Sequence, residues 1–340
     1  MSHPSLVPVR PEWLARWREE PLDRDRPIID THHHCMDFPG LHYLAEDFLS
    51  DIAEGGHNIV ATVHVDARYG YRSDGPEALR PVGETESLVA VAHGLPAGGP
   101  RLALGMVGFA DLCLGAAVGE VLDAHIAAGE GRFSGIRQIT PWDADGSLTP
   151  EFLHGRPRQL EDPAFHQGFA ELAARGLSFD SWIYSPQLPE LAALADAFPT
   201  VPIILDHCGT PVMQGAYAKD RPEAFRRWAG DIADLARRPN VYCKLGGLAK
   251  WLTNLAFHHL EEPPTSQVLA AAWQPYVDVC IDRFGPARCL FESNFPMEKP
   301  SCSYGVFWNA CKRMARSLSS DEQDDLFTGT ARRAYRLSLG

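Results

Sequence analysis

This 340-residue chain predicts an α/β fold: a (β/α)8 TIM barrel with an N-terminal arm and inserted loops. Two observations lead there. Short apolar runs alternate with stretches of helical spacing, and that alternation builds a parallel sheet with helical crossovers. The runs number eight, the count that closes a barrel of roughly 250 residues and leaves length for insertions. The rival is an open doubly wound sheet, but no G-x-G-x-x-G follows the first run and no G-x-x-x-x-G-K-[ST] occurs anywhere.

Residues 1–25 are rich in proline and charge, with an amphipathic piece, EWLARWREE, and read as an arm on a barrel spanning 26–340. The runs are PIIDTH (27–32), NIVATVHV (58–65), RLALGMV (101–107), FSGIRQI (133–139), LSFDSWI (177–183), VPIILDH (201–207), NVYCKLG (240–246) and RCLFESN (288–294). Their continuous Val, Ile, Leu and Phe content suits strands covered on both faces. Helices are expected over 116–129, 163–176, 185–198, 220–238, 266–284, 303–317 and 320–337, two of the clearest stopping near Gly or Pro. A long segment after the second run, RYGYRSDGPEALRP, and another after the seventh, WLTNLAFHHLEEPPTSQ, read as loops over the barrel mouth.

With 31 basic and 44 acidic residues the net charge is −13, which opposes nucleic-acid or anionic-membrane partners. The eight cysteines form no C-x-x-C pair, and several sit in apolar runs, as expected of reduced thiols. No apolar h-region opens the chain and no run of about 18 apolar residues occurs, so a cytoplasmic protein with a small-molecule substrate is expected.

Barrel active sites lie at the C-terminal strand ends. Here the first run ends DTHHH, the fourth GIRQITPWD, the fifth LSFDSWIY, the sixth LDHCG, the seventh CKLGG and the eighth ESNFP. Strand alternation sets His32 and His34 on one face and turns His33 away. His207 ends another strand at the same mouth, which favours a working cluster over a solvated one. The same alternation puts Asp206 outside the lumen and lets His64 face it, although core packing is the assignment preferred for His64.

The segments IDTHHHC, GIRQITPWD, LSFD, ILDHCGTP, NVYCKLGGL and RCLFESNFP, in this order, resemble the amidohydrolase superfamily, its amidohydrolase-2 type, over residues 27 to 337. That group includes dicarboxylate lactonases, sugar lactonases and decarboxylases. The resemblance implies a TIM-barrel hydrolase with His32, His34 and His207 at the family's histidine positions. Relatives pair or form larger assemblies, so a homo-oligomer is compatible. One divalent metal, zinc for instance, on these three histidines is compatible with the pattern; so is metal-independent catalysis, known in some lactonase relatives.

Two departures bear on mechanism. The family's eighth strand ends with an aspartate in a segment like GSDWP, whereas this chain has Asn294, which cannot take a proton at neutral pH. Glu292, two residues back, is a candidate replacement base; the alternative is a buried ion pair with Lys244. The fifth strand offers Asp180 where the usual metal site has a histidine, and the fourth shows no bridging lysine.

Among the other candidates, Arg137 could clamp a substrate carboxylate or pair with Asp143 or Asp180. Lys244 could neutralise an oxyanion or form an ion pair. Trp142 could form an apolar wall, and Tyr71 and Arg72 belong to the loop after the second strand. Together these predict hydrolysis of a small carboxylated lactone or ester by water attack at the carbonyl. The alternatives are a decarboxylase or C–C lyase on an aromatic or unsaturated acid, and a barrel that binds ligand without catalysis.

Overall fold

The computed structural model describes residues 7–96, 98–149, 153 and 155–339. Eight strands form one parallel sheet in sequence order: β1 (Ile28–His33), β2 (Ile59–Val65), β3 (Arg101–Gly108), β4 (Phe133–Arg137), β5 (Ser178–Ser181), β6 (Ile203–Leu205), β7 (Val241–Leu245) and β8 (Cys289–Phe291). The ends of the sheet meet just beyond β8. There Asn294 N donates to His32 O at 2.8 Å, His34 N donates to Phe295 O at 2.8 Å, and His33 bridges Phe295 in parallel. The eight-stranded TIM barrel read from the sequence is the architecture observed.

Eight helices follow the strands in turn: α1 (Ala45–Gly55), α2 (Val82–Gly94), α3 (Val118–Ala128), α4 (Pro163–Arg175), α5 (Leu188–Ala197), α6 (Arg221–Leu235), α7 (Ser266–Phe284) and α8 (Tyr304–Ala315). The spacing of apolar residues locates α3 to α8 but misses α1 and α2. In α1 only Phe48 and Ile52 carry the apolar stripe, and α2 buries Glu84 and Thr85 on its inner face. Outward-pointing Phe179, Ile203, Leu205, Cys243 and Phe291 pack under this helical ring. Inward-pointing Ile29, Val63, Ile204 and Leu290 fill the lumen together with Ala334, Tyr335 and Leu337 of the C-terminal segment.

The segment at the N-terminus lies against the body through specific hydrogen bonds. Trp13 Nε1 donates to Glu261 O, Leu22 N donates to Asn309 Oδ1, and Glu19 accepts from Ser266 N. Arg10 donates to His258 O, which ties the loop after β7 to this segment. All eight cysteines are free, and among the described residues no helix is long and apolar enough to cross a membrane.

His125 of α3 illustrates how a polar ring is satisfied in this core. It stacks on Phe133 at 4.7 Å, bonds Thr85 Oγ1 through Nδ1 and donates from Nε2 to Phe109 O. Burial holds it down from 6.5 to about 4. The unfolded chain therefore takes the proton first. The stabilising contribution is whole above pH 6.5 and is lost as pH falls towards 4, on the order of 2 kcal/mol. Urea midpoints measured from pH 7 to 4 should drop, and a His125→Gln variant should show a shallower pH slope.

Candidate active site

Three imidazoles meet at the C-terminal mouth of the barrel. His32 and His34 emerge from β1, while His33 between them turns outward to stack on Phe48 at 4.2 Å and bond Thr62 Oγ1. Inside, His32 Nε2 and His34 Nε2 stand 3.2 Å apart, and the His32 and His207 rings lie 4.8 Å centre to centre. All three rings are buried, His32 at 0 %, His34 at 3 % and His207 at 1 % exposure. Burial above all holds each well below the usual histidine range; Lys244 adds to this for His32, Arg137 for His34 and Lys250 for His207. They are neutral at pH 7.

His207 reaches the cluster by an unusual backbone route. β6 stops at Leu205, and His207, Cys208, Gly209 and Thr210 all have positive φ, between 40° and 69°. Such a turn costs of order 1–3 kcal/mol per strained residue and needs fixing from outside. Trp228 Nε1 donates to Cys208 O at 2.9 Å, and His207 N donates to Glu292 Oε1 at 3.0 Å. This turn corrects the reading of Asp206. Strand alternation carries Ile204 and then Asp206 into the lumen, and the left-handed turn, not the strand, brings in His207.

Glu292 joins the rings. One carboxylate oxygen lies 2.6 Å from His207 Nδ1 and the other 2.7 Å from His32 Nδ1. His34 Nδ1 lies 2.7 Å from Val65 O, which can only accept, so that nitrogen carries the hydrogen. The short hydrogen bond to Glu292 Oε1 likewise puts a hydrogen on Nδ1 of His207, which leaves the Nε2 lone pairs of His34 and His207 bare, whereas Nδ1 of His32 lies between Glu292 Oε2 and the Lys244 ammonium. Two glycines make room. A Cβ on Gly246 would sit 2.5 Å from Glu292 Cγ, and one on Gly247, whose φ is +61°, would sit 2.1 Å from His207 Nδ1.

A ring of charges supports the cluster. Lys244 Nζ is 2.7 Å from Asp180, 3.1 Å from Asp206 and 3.1 Å from His32 Nδ1. Burial opposes its charge, yet Asp180 and Asp206 outweigh this and raise its pKa. Lys244 thus pairs with these aspartates rather than with Glu292. Arg137 donates to Asp66 O, lies 3.2 Å from His32 Nε2, and is 3.8 Å from Asp206, rather than pairing with Asp143 or Asp180. Asp180 also accepts from Tyr335 OH at 2.6 Å.

Other sequence candidates fall outside this centre. The Asn294 side chain does not reach the imidazoles: at φ 53° its amide donates to Glu298 Oε1 at 3.3 Å. Strand geometry therefore does not relate positions 292 and 294. Tyr71 donates to Asp66 at 2.6 Å, Arg72 pairs outward with Glu86, and half-buried Trp142 bonds Gln187 through its backbone N. His64 is a buried acceptor for Cys35 N.

Spacing missed three residues. Trp182, whose ring centre is 6.0 Å from that of His207, follows Asp180 by two positions and so shares its inward alternation. Lys250 lies over Trp182 at 4.9 Å, and buried Glu298 accepts from Ala249 N at 2.7 Å; both stand on loops, where no periodicity marks them. Burial lowers Lys250 to about 8 and raises Glu298 to about 7, each opposed by the other's charge.

The donor set suits a metal. With imidazole bonds of roughly 2.0–2.1 Å, the Nε2 atoms of His32 and His34, 3.2 Å apart, can share one ion. His32, His207 and Asp206 also each offer a ligand atom, all within 4.8 Å of one another.

A family model described as amidohydrolase matches residues 29–337, so this chain belongs to the amidohydrolase family, of the amidohydrolase-2 type, and is an enzyme of the hydrolase kind. It is 36% identical over 337 residues to the uncharacterized protein y4mH of Sinorhizobium fredii, covering 92% of this chain and 99% of that one. It is 28% identical over 284 residues to an L-fucono-1,5-lactonase of Burkholderia ambifaria, covering 78% and 87%. Among solved structures, a zinc-bound amidohydrolase from Burkholderia multivorans superposes with a TM-score of 0.69 at 25% identity, covering 92% and 99%.

Glu292→Gln should leave the fold intact and lower kcat by roughly 10- to 100-fold, because a neutral amide cannot present a carboxylate oxygen to both His207 and His32. Gly247→Ala should also depress turnover, by displacing His207. Wild-type rates in either folded variant would contradict this geometry.

Proposed function

We propose that this enzyme hydrolyses a small carboxylated lactone or ester by water attack at the acyl carbonyl. The observation that carries the reading is the fixing of neutral imidazoles, His207 by Glu292 Oε1 and His34 by Val65 O, with His32 close against both rings. Membership of a hydrolase family and likeness to an L-fucono-1,5-lactonase support the same bond type.

Glu292 acts as a positioning residue and not as the base, since Oε1 accepts from His207 Nδ1 and N and Oε2 is closed in against His32 Nδ1. His207 accepts the proton of the attacking water on Nε2, and Glu292 steadies the imidazolium that forms, as a carboxylate steadies the histidine of a hydrolytic triad. Lys244 and Arg137 oppose the negative charge growing on the carbonyl oxygen; their positions are set by Asp180, Asp206 and Asp66 O. Collapse of the tetrahedral intermediate expels the ring or ester oxygen, which recovers the proton from His207.

In a metal-bound mode the three histidines would hold one divalent ion, which would polarise the carbonyl and acidify water, and His207 would then be a ligand in place of the base. A metal-independent reading has its own support: the Arg137 Nη1 N–H is already within 3.2 Å of the His32 lone pair and can serve it. The decarboxylase alternative gains nothing from Asn294, whose amide faces Glu298.

A panel of carboxylated lactones and aryl esters should include substrates that are hydrolysed, with turnover lost in His207→Ala. Elemental analysis with a chelator titration separates the two modes: one ion per chain with chelator-sensitive rates marks the metal-bound mode, and indifference to chelator the other. Release of carbon dioxide without acid formation would overturn the proposal.

A further inference from the structure

The cations at the centre of this site are committed internally. Lys244 is held by two aspartates, and Arg137 by a backbone oxygen and His32. Lys250 is different. Among the described residues neither a hydrogen bond nor an ion pair reaches its ammonium; its neighbour is the face of Trp182, at 4.9 Å. Trp182 in turn stands edge-on to His207, at 6.0 Å and 76°. Lys250 and Trp182 are both partly exposed, whereas the imidazoles behind them are closed off.

We propose that Lys250, backed by Trp182, is the anchor for a substrate carboxylate, so that the enzyme selects lactones or esters bearing a free carboxylate near the scissile carbonyl. This deepens the hydrolase reading above and rests on it. A half-buried ammonium that lies over an indole face has lost much of its hydration without gaining a hydrogen-bond acceptor, and an anion supplies three donors with a partner. The indole also screens the pair from water, which strengthens the attraction. Glu298 cannot fill that place, because its oxygens accept from Asn294 and Ala249 N and its carboxyl is sealed in the wall. Arg137 was the sequence candidate for this clamp; with both Nη atoms engaged and only the buried Nε left without a partner, it cannot offer a carboxylate the paired N–H fork.

Malonate and its uncharged counterpart malonamide are suitable probes, with the full-length protein and calorimetric titration. Wild type should bind malonate and not malonamide. Lys250→Met, which keeps side-chain length without charge, should weaken malonate by roughly tenfold or more, and Lys250→Arg should restore most of it. On a hydrolysed carboxylated lactone, Lys250→Met should raise KM far more than it lowers kcat. Equal binding of malonate and malonamide by wild type, or unchanged malonate affinity in a folded Lys250→Met protein, would overturn the anchor. Malonate binding does not need turnover, so these results are separate from a failure of the lactone panel.

Discussion

The carboxylate of Glu292, buried at 0 % exposure between two histidine Nδ1 atoms, is the interaction on which the rest of this mouth depends. It fixes two ring orientations at once and also receives His207 N, so one side chain stabilises both a tautomer and a left-handed turn. Removing a charged partner from such a buried network leaves donors unpaired, and that penalty exceeds what one exposed hydrogen bond contributes. Gly246 and Gly247 serve the same contact sterically: the approach of Glu292 and His207 requires that neither position carry a Cβ.

Around this pair the barrel separates two kinds of charge. Lys244, Asp180 and Asp206 form a closed set in the lumen, tied to the C-terminal segment through Tyr335 OH. Lys250 and Trp182 stand further out and stay partly open. A buried, paired lysine tunes the field at the imidazoles. An open lysine is available to a ligand. This division follows from which strand or loop each residue ends, and it lets one barrel combine a rigid reacting centre with an adaptable rim.

Much of this was legible in the sequence, and the failures have physical causes. All eight strands, six of the helices that follow them, and the convergence of His32, His34 and His207 follow from apolar runs and from strand-end position. Extrapolating alternation past the true strand ends went wrong: β6 stops at Leu205 and β8 at Phe291, so His207 and Asn294 take their directions from backbone of positive φ, while Asp206 and Glu292 keep the inward side of Ile204 and Leu290. Lys250 and Glu298 were invisible because loop residues near a site carry no period. Their importance arises from what surrounds them in space.

The central claim is that Glu292 Oε1 and Val65 O hold hydrogens on Nδ1 of His207 and His34 and leave their Nε2 atoms bare. Long-range nitrogen–proton NMR of histidine-labelled protein reads this directly, ring by ring. The account predicts the Nδ1–H form for residues 34 and 207 at neutral pH. An Nε2–H signature at residue 34 or 207 would contradict it.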